Sequence, residues 1–154
     1  MKRLLLIGYG NPGRGDDGLG PALADAIEKH GFEGLEVDVD FQLNVENAFD
    51  MAGRDAVIFA DACVKGDEAF TWHEIDAKDE TSFTSHSVSP AGVLALASKL
   101  FNIKTRGFVL GIRGYAFDEF GAPLTDQASS NLAAAIAFLK ARLRSGELEA
   151  RTPV

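Results

Sequence analysis

Hydrophobic positions along this chain switch repeatedly between a strand-like and a helix-like spacing. Leu4 to Ile7 is an unbroken apolar run, as in a strand buried on both faces of a parallel sheet. A glycine-rich stretch from Gly8 to Gly20 interrupts it. Pro21 then suits the first turn of a helix whose apolar stripe is Ala22, Leu23, Ala26 and Ile27, with Gly31 as its stop. Leu35 to Phe41 alternates apolar residues with Glu36, Asp38 and Asp40, which predicts a half-exposed strand towards a sheet edge. Asn44 caps a short helix over Val45 to Ala52, ended by Gly53. Ala56 to Ala60 predicts another buried strand, one that delivers Asp61 at its C-terminal end. Ala69 to Ile75 alternates and predicts a strand whose inward face is unassigned, and Asp76 to Phe83 reads as a loop. Ser89-Pro90 pairs a cap with a proline at the first helical position, opening a helix through Val93, Leu94, Leu96, Ala97 and Leu100. Gly107 to Ile112 is a further buried strand and Gly114 to Pro123 is turn-rich. Thr125 opens a long helix through Leu132, Ile136, Leu139 and Leu143.

Strands alternating with helices predict an α/β fold, a single domain with a twisted, mostly parallel sheet sandwiched between helices. The domain is expected over residues 1–146, with 147–154 a flexible C-terminal tail. A length of 154 residues suits one domain with a sizeable core. A formal net charge of −8 argues against nucleic acid or an anionic membrane as the partner, since each calls for a basic face. Cys63 is the sole cysteine, so no internal disulfide forms and a reducing compartment is expected. Lys2-Arg3 ahead of Leu4 to Ile7 is too short a pattern for a signal peptide, and no apolar stretch is long enough to span a membrane. A cytoplasmic location is expected.

Two carboxylate positions fall at C-terminal strand ends: Asp16-Asp17 in the loop after the first strand, and Asp61 after the central one. Such ends share one edge of a parallel sheet, where ligands bind, so residues far apart in sequence can converge there. His86 lies ahead of the Ser89-capped helix and so near the same edge. Two carboxylates and an imidazole form a partial ligand set for a divalent metal with positions left open, and could equally serve as a general base with its orienting groups. Each also has a structural use: Asp16 as a turn cap, Asp17 as a helix N-terminal charge, Asp61 as a turn former, His86 as a loop residue bonded to backbone. His73 beside Trp72 reads as structural, His30 as a surface residue suited to a helix C-terminus, and Cys63 as a packed thiol. No Gly-x-Ser-x-Gly elbow occurs.

Gly8, Gly10 and Gly13 match a dinucleotide-binding fingerprint, with Asp38 at the spacing of a ribose-binding acid. A pyrophosphate, however, needs bare amides and positive potential, whereas Asp16-Asp17 brings two negative charges and Pro21 lacks an N–H. The Gly-Asn-Pro-Gly segment also resembles the start of peptidyl-tRNA hydrolase, but the Arg-His-Asn segment that follows in that enzyme is absent, and the acidic balance disfavours tRNA.

Taken together, the chain resembles the hydrogenase maturation protease family. The likeness rests on Gly8-x-Gly10-Asn11 with Gly15-Asp16-Asp17-Gly18-x-Gly20, on Ala60-Asp61-Ala62, and on His86 ahead of a Leu/Ala-rich helix. Gln42-Leu43-x-x-Glu46 and Gly111-Ile112 add to it. The resemblance implies a phosphorylase/hydrolase-like fold. It also implies a metal-dependent, aspartic-type endopeptidase that removes the C-terminal extension of a nickel-iron hydrogenase large-subunit precursor. Nickel would be supplied within that precursor, and Asp17, Asp61 and His86 are the implied metal-contacting and catalytic trio, with Asp16 supporting the loop. Pro12-Gly13 departs from the apolar residues many members carry there. The variant is similar to members serving soluble, cofactor-reducing hydrogenases. A nucleotide-binding module and a non-catalytic nickel-delivery or chaperone protein are the alternative functions.

Overall fold

The computed structural model describes residues 3–77 and 88–148. Strands β1 (Leu4–Tyr9), β2 (Leu35–Asp40), β3 (Ala56–Cys63), β4 (Phe70–Ile75) and β5 (Arg106–Arg113) form one sheet in the order β2-β1-β3-β5-β4. β1 pairs in parallel with β2 and β3, and β3 in parallel with β5; only β4 runs antiparallel, on the far edge. The expected α/β sandwich with a mostly parallel sheet is therefore the observed one.

Alternation across the pleat explains the two cores. Leu4, Leu6, Ile58, Ala60, Phe108, Leu110 and Ile112 face helices α1 (Leu19–His30) and α3 (Asp126–Ser145). Leu5, Ile7, Val57 and Phe59 face the other way, towards α2 (Pro90–Phe101) and a 3-10 segment at Val45–Met51. The central strands bury both faces, which is why their sequences read as unbroken apolar runs. The caps match their sequence signals: Asn44 makes a capping box with Asn47, the Ser89 side chain accepts from the Gly92 N–H, and that of Thr125 accepts from the Ala128 N–H.

Three boundaries differ from expectation, and each has a physical cause. The first helix begins at Leu19, after a 3-10 turn at Gly15–Gly18, rather than at Pro21. Gly20 lies inside it because a Cβ there would come within 2.5 Å of both the Ala60 and Tyr9 carbonyl oxygens; only glycine lets the helix meet the strand ends so closely. β3 runs on to Cys63, so Asp61 is inside the strand and pairs in register with Gly111. At the C-terminal end, Gly146 closes α3 in a left-handed cap, but the chain stays packed to Leu148. That side chain is buried, and its carbonyl accepts from the Trp72 indole N–H at 3.2 Å.

β4 turns Phe70 and Trp72 inward: Trp72 stacks on Phe108 with centroids 5.1 Å apart, and Phe70 lies 4.9 Å from Phe138. Its outward His73 is exposed, and His30 at the end of α1 stacks on Phe32. Among the described residues, no helix is long and apolar enough to cross a membrane.

Candidate active site

β1 pairs with β3 only as far as Gly8 opposite Ala60. Beyond that point β1 bends away as Tyr9 and Gly10, while β3 continues beside β5. The divergence marks the C-terminal edge of the parallel strands, the place where an open α/β sheet forms a crevice, and Asp61 lies on its β3 side. The Gly10–Gly18 loop, which follows β1, lies on the other side. Gly10 has φ 140°, and a Cβ on it would run into the Asp17 carbonyl, so the loop folds back on itself only because this position is bare. The Asn11 N–H then donates to Asp17 Oδ2 at 2.9 Å, fixing that carboxylate against the loop.

Asp16 and Asp17 have opposite environments. Asp16 is fully buried and points away from the crevice, into the segment between β5 and α3. Its Oδ2 accepts from the Tyr115 N–H (2.7 Å), the Ala116 N–H (3.1 Å) and the Thr125 hydroxyl (2.9 Å), and its Oδ1 accepts from the Thr125 N–H (2.8 Å). Burial alone would push this carboxyl up, but the bonds from Thr125, Tyr115 and Ala116 outweigh it and hold the group below its ordinary range. The same segment is tied again where the Gly121 N–H donates to the Gly13 carbonyl at 2.7 Å. Asp16 is therefore a clamp between two loops, a wider role than holding its own turn.

Asp61 is half-buried. Its Oδ1 accepts from the Ala62 N–H at 2.7 Å and its side chain bonds the Tyr9 hydroxyl. Desolvation pushes its carboxyl up to about 6; the bonds from Ala62 and Tyr9 oppose the rise, and the nearby charge of Asp17 adds to it. The Tyr9 hydroxyl is itself pushed well above its usual value by burial and by Asp61, so it remains a donor. The sequence-predicted Asp17 and Asp61 lie at the same end of the sheet, near enough for the charge of Asp17 to act on Asp61. His86 lies outside the described residues. Among the described residues no group of three His, Cys, Asp or Glu side chains is gathered to hold a metal.

Tyr9 is the site residue that sequence reasoning missed. Its signal is the same as that of Asp61, a polar side chain where an apolar strand ends, masked here by the glycines on either side. Cys63 is a half-buried thiol with Sγ 3.0 Å from the Lys65 carbonyl, consistent with a packed residue. The dinucleotide pattern does not correspond to a cradle. Gly13 sits in the exposed part of the loop, where a Cβ would approach only the Asn11 side chain, and the close helix–strand contact belongs to Gly8 and Gly20. Asp38 is half-buried within β2, and burial together with Asp50, Asp40 and Glu28 raises its carboxyl.

No family model matches the chain, and no curated protein does. Solved structures do. Hydrogenase maturating endopeptidase HybD from E. coli superposes with a TM-score of 0.71 at 23% identity, covering 96% of this chain and 95% of its own. The NiFe hydrogenase maturation protease HycI from Thermococcus kodakarensis gives 0.72 at 16% identity, covering 93% of each chain. Hydrogenase 2 maturation peptidase from a Thaumarchaeota archaeon gives 0.66 at 21% identity, covering 96% of this chain and all (100%) of its own. Likeness at near-full length and low identity establishes shared architecture: this chain has the fold of the hydrogenase maturation endopeptidases.

Proposed function

We propose that this protein is an endopeptidase that removes the C-terminal extension from a nickel-loaded nickel-iron hydrogenase large-subunit precursor. The observation that supports it most is the pairing of Asp17 and Asp61 across the crevice, in a fold shared with endopeptidases of that name. Burial is the main cause that raises the Asp61 carboxyl, and the nearby charge of Asp17 adds to it. A divalent cation carried by the substrate reverses the balance: it draws Asp61 into its charged form and turns repulsion into shared attraction. Nickel in the precursor is then the recognition element. A nickel-free precursor leaves the two acids uncompensated and is rejected. His86 completes the trio on the strength of the family resemblance. With the metal held by these side chains, the neighbouring peptide bond is presented to an attacking water, and the Tyr9 hydroxyl holds Asp61 in place. On this reading the enzyme is a metal-dependent, aspartic-type hydrolase acting in the cytoplasm, whose metal arrives and leaves with its substrate.

The test is precursor shortening, followed by mass spectrometry. Wild-type protein should trim nickel-loaded precursor and leave nickel-free precursor intact, and Asp17→Asn, Asp61→Asn and His86→Ala should each slow trimming by roughly a hundredfold or more. Full processing by a folded Asp61→Asn or His86→Ala variant would overturn the assignment.

A further inference from the structure

Beside the crevice lies a cleft of about 180 Å³ lined by Gly10, Pro12, Val39, Asp40 and Phe41. Its position is set by β2, the outermost strand on that side of the sheet. The Gly10 N–H donates to the Asp40 carbonyl, so the backbone of Asp40 faces β1. By the alternation of a parallel ladder, the backbone groups of Val37 and Val39 face outward, where no strand of the described residues lies. Val39 and Phe41 are 52% and 71% exposed, an uncommon outlay of apolar surface on an edge strand. Gly10 belongs to both features: it lines the cleft, and its bare Cα abuts Asp17.

We propose that the edge of β2 and this cleft hold the precursor segment flanking the cleaved bond, as an added strand with one apolar side chain seated between Pro12 and Phe41. The inference rests on the endopeptidase reading above and adds where its peptide lies. A free edge supplies main-chain pairing to any extended segment, and a pocket at alternate positions supplies side-chain choice. The cleft volume suits a single aliphatic or aromatic side chain. Charge selects the occupant. Asp38 and Asp40 alternate along β2 with the apolar positions, while Glu36 is paired with Arg54, so a second copy pairing edge to edge would set these two acids against their like. The chain as a whole, at −8, adds to that repulsion. The occupant is therefore an extended peptide with an apolar side chain and without acids beside it.

The experiment uses the full chain with p-benzoylphenylalanine in place of Phe41, irradiated with nickel-loaded precursor from cells lacking the endopeptidase. The cross-linked peptide should lie within a few residues of the cleavage site. In parallel, Phe41→Glu should raise KM for the precursor roughly tenfold, with a much smaller fall in kcat. Its thermal midpoint should match wild type, because Phe41 is exposed. Cross-links to a remote part of the precursor, cross-linked homodimers, or an unchanged KM would each overturn the proposal. The two readings fail separately: if wild type does not trim the precursor the endopeptidase reading falls, whereas if wild type trims it and Phe41→Glu trims it equally well only the docking falls.

Discussion

Replacing Asp16 by asparagine probes what holds the site loop without touching the crevice. The change keeps the shape and removes the charge. In the wild type one carboxylate accepts all four bonds from Tyr115, Ala116 and Thr125. An amide has a single acceptor oxygen. If that oxygen takes the place of Oδ2, the amide nitrogen meets the Thr125 N–H, donor against donor. One buried donor is then left unsatisfied, at about 1–3 kcal/mol, and the remaining bonds lose their charge assistance, at several tenths each. The expected loss is about 3 kcal/mol, or about 6–12 °C in thermal midpoint for a chain of this size. Urea unfolding at neutral pH measures it.

Acidification supplies a second readout with a definite sign. The folded carboxyl of Asp16 titrates below its ordinary value of 3.8. Its stabilisation is therefore complete above that value and is lost as pH falls from there through the lower, folded-state value. The stability gap between wild type and Asp16→Asn should hold from pH 7 down to about 5 and then close on further acidification. A gap under about 0.5 kcal/mol at pH 7, or one that widens in acid, would refute the clamp.

Two further outcomes follow from the other wall of the crevice. Asp61 has the opposite sign: with its folded carboxyl raised from 3.8 to about 6, ionisation costs folding stability over that interval and the whole penalty is present above it. Asp61→Asn should therefore be more stable than wild type by up to about 3 kcal/mol at pH 8 in urea unfolding and show no gain at pH 3, while losing precursor processing. Tyr9→Phe removes a donor that favours the carboxylate form of Asp61, so the acid limb of the processing rate should move to higher pH by up to about one unit; a limb left unmoved would show that the hydroxyl does not hold Asp61.

Element types were largely legible in the sequence because burial leaves a direct trace in it. Leu4 to Ile7 and Ala56 to Ala60 read as strands since both of their faces are covered, and Ser89-Pro90 and Thr125 mark helix starts through local bonds. Pairing leaves no such trace. That β5 inserts between β3 and β4, and that β4 runs antiparallel, depends on contacts between distant segments, and a hydropathy pattern records only that a residue is covered. The end of β3 was misplaced for the same reason. Asp61, Ala62 and Cys63 are half-buried and look like loop, but β5 supplies their hydrogen bonds long after β1 has turned away. Within the site, Asp17 and Asp61 were found by their position after apolar strands. Asp16 could be given only a local role, because its partners lie a hundred residues on. His86 rests on its position ahead of the Ser89-capped helix and on the family resemblance, and lies outside the described residues.

The glycine-rich loop shows why a short motif needs its geometry. A dinucleotide fingerprint and this loop use glycine for the same physical reason, the close approach of backbone to something else. They differ in what approaches. Here Gly8 and Gly20 bring α1 against the ends of β1 and β3, and Gly10 brings the loop against its own Asp17. The bare positions are filled by the protein itself, so no surface of free amides remains for a pyrophosphate to occupy. What the tight packing achieves is placement: with Gly20 seated on the Tyr9 and Ala60 carbonyls, the turn ahead of α1 is held beside the ends of β1 and β3. Asp17 arrives near enough to Asp61 for its charge to be felt there, and Asp16 is turned inward to fasten the neighbouring segment. Adjacent acids on one turn thus acquire opposite environments, Asp17 half-buried with its carboxylate bonded by the Asn11 N–H and Asp16 fully buried under four hydrogen bonds.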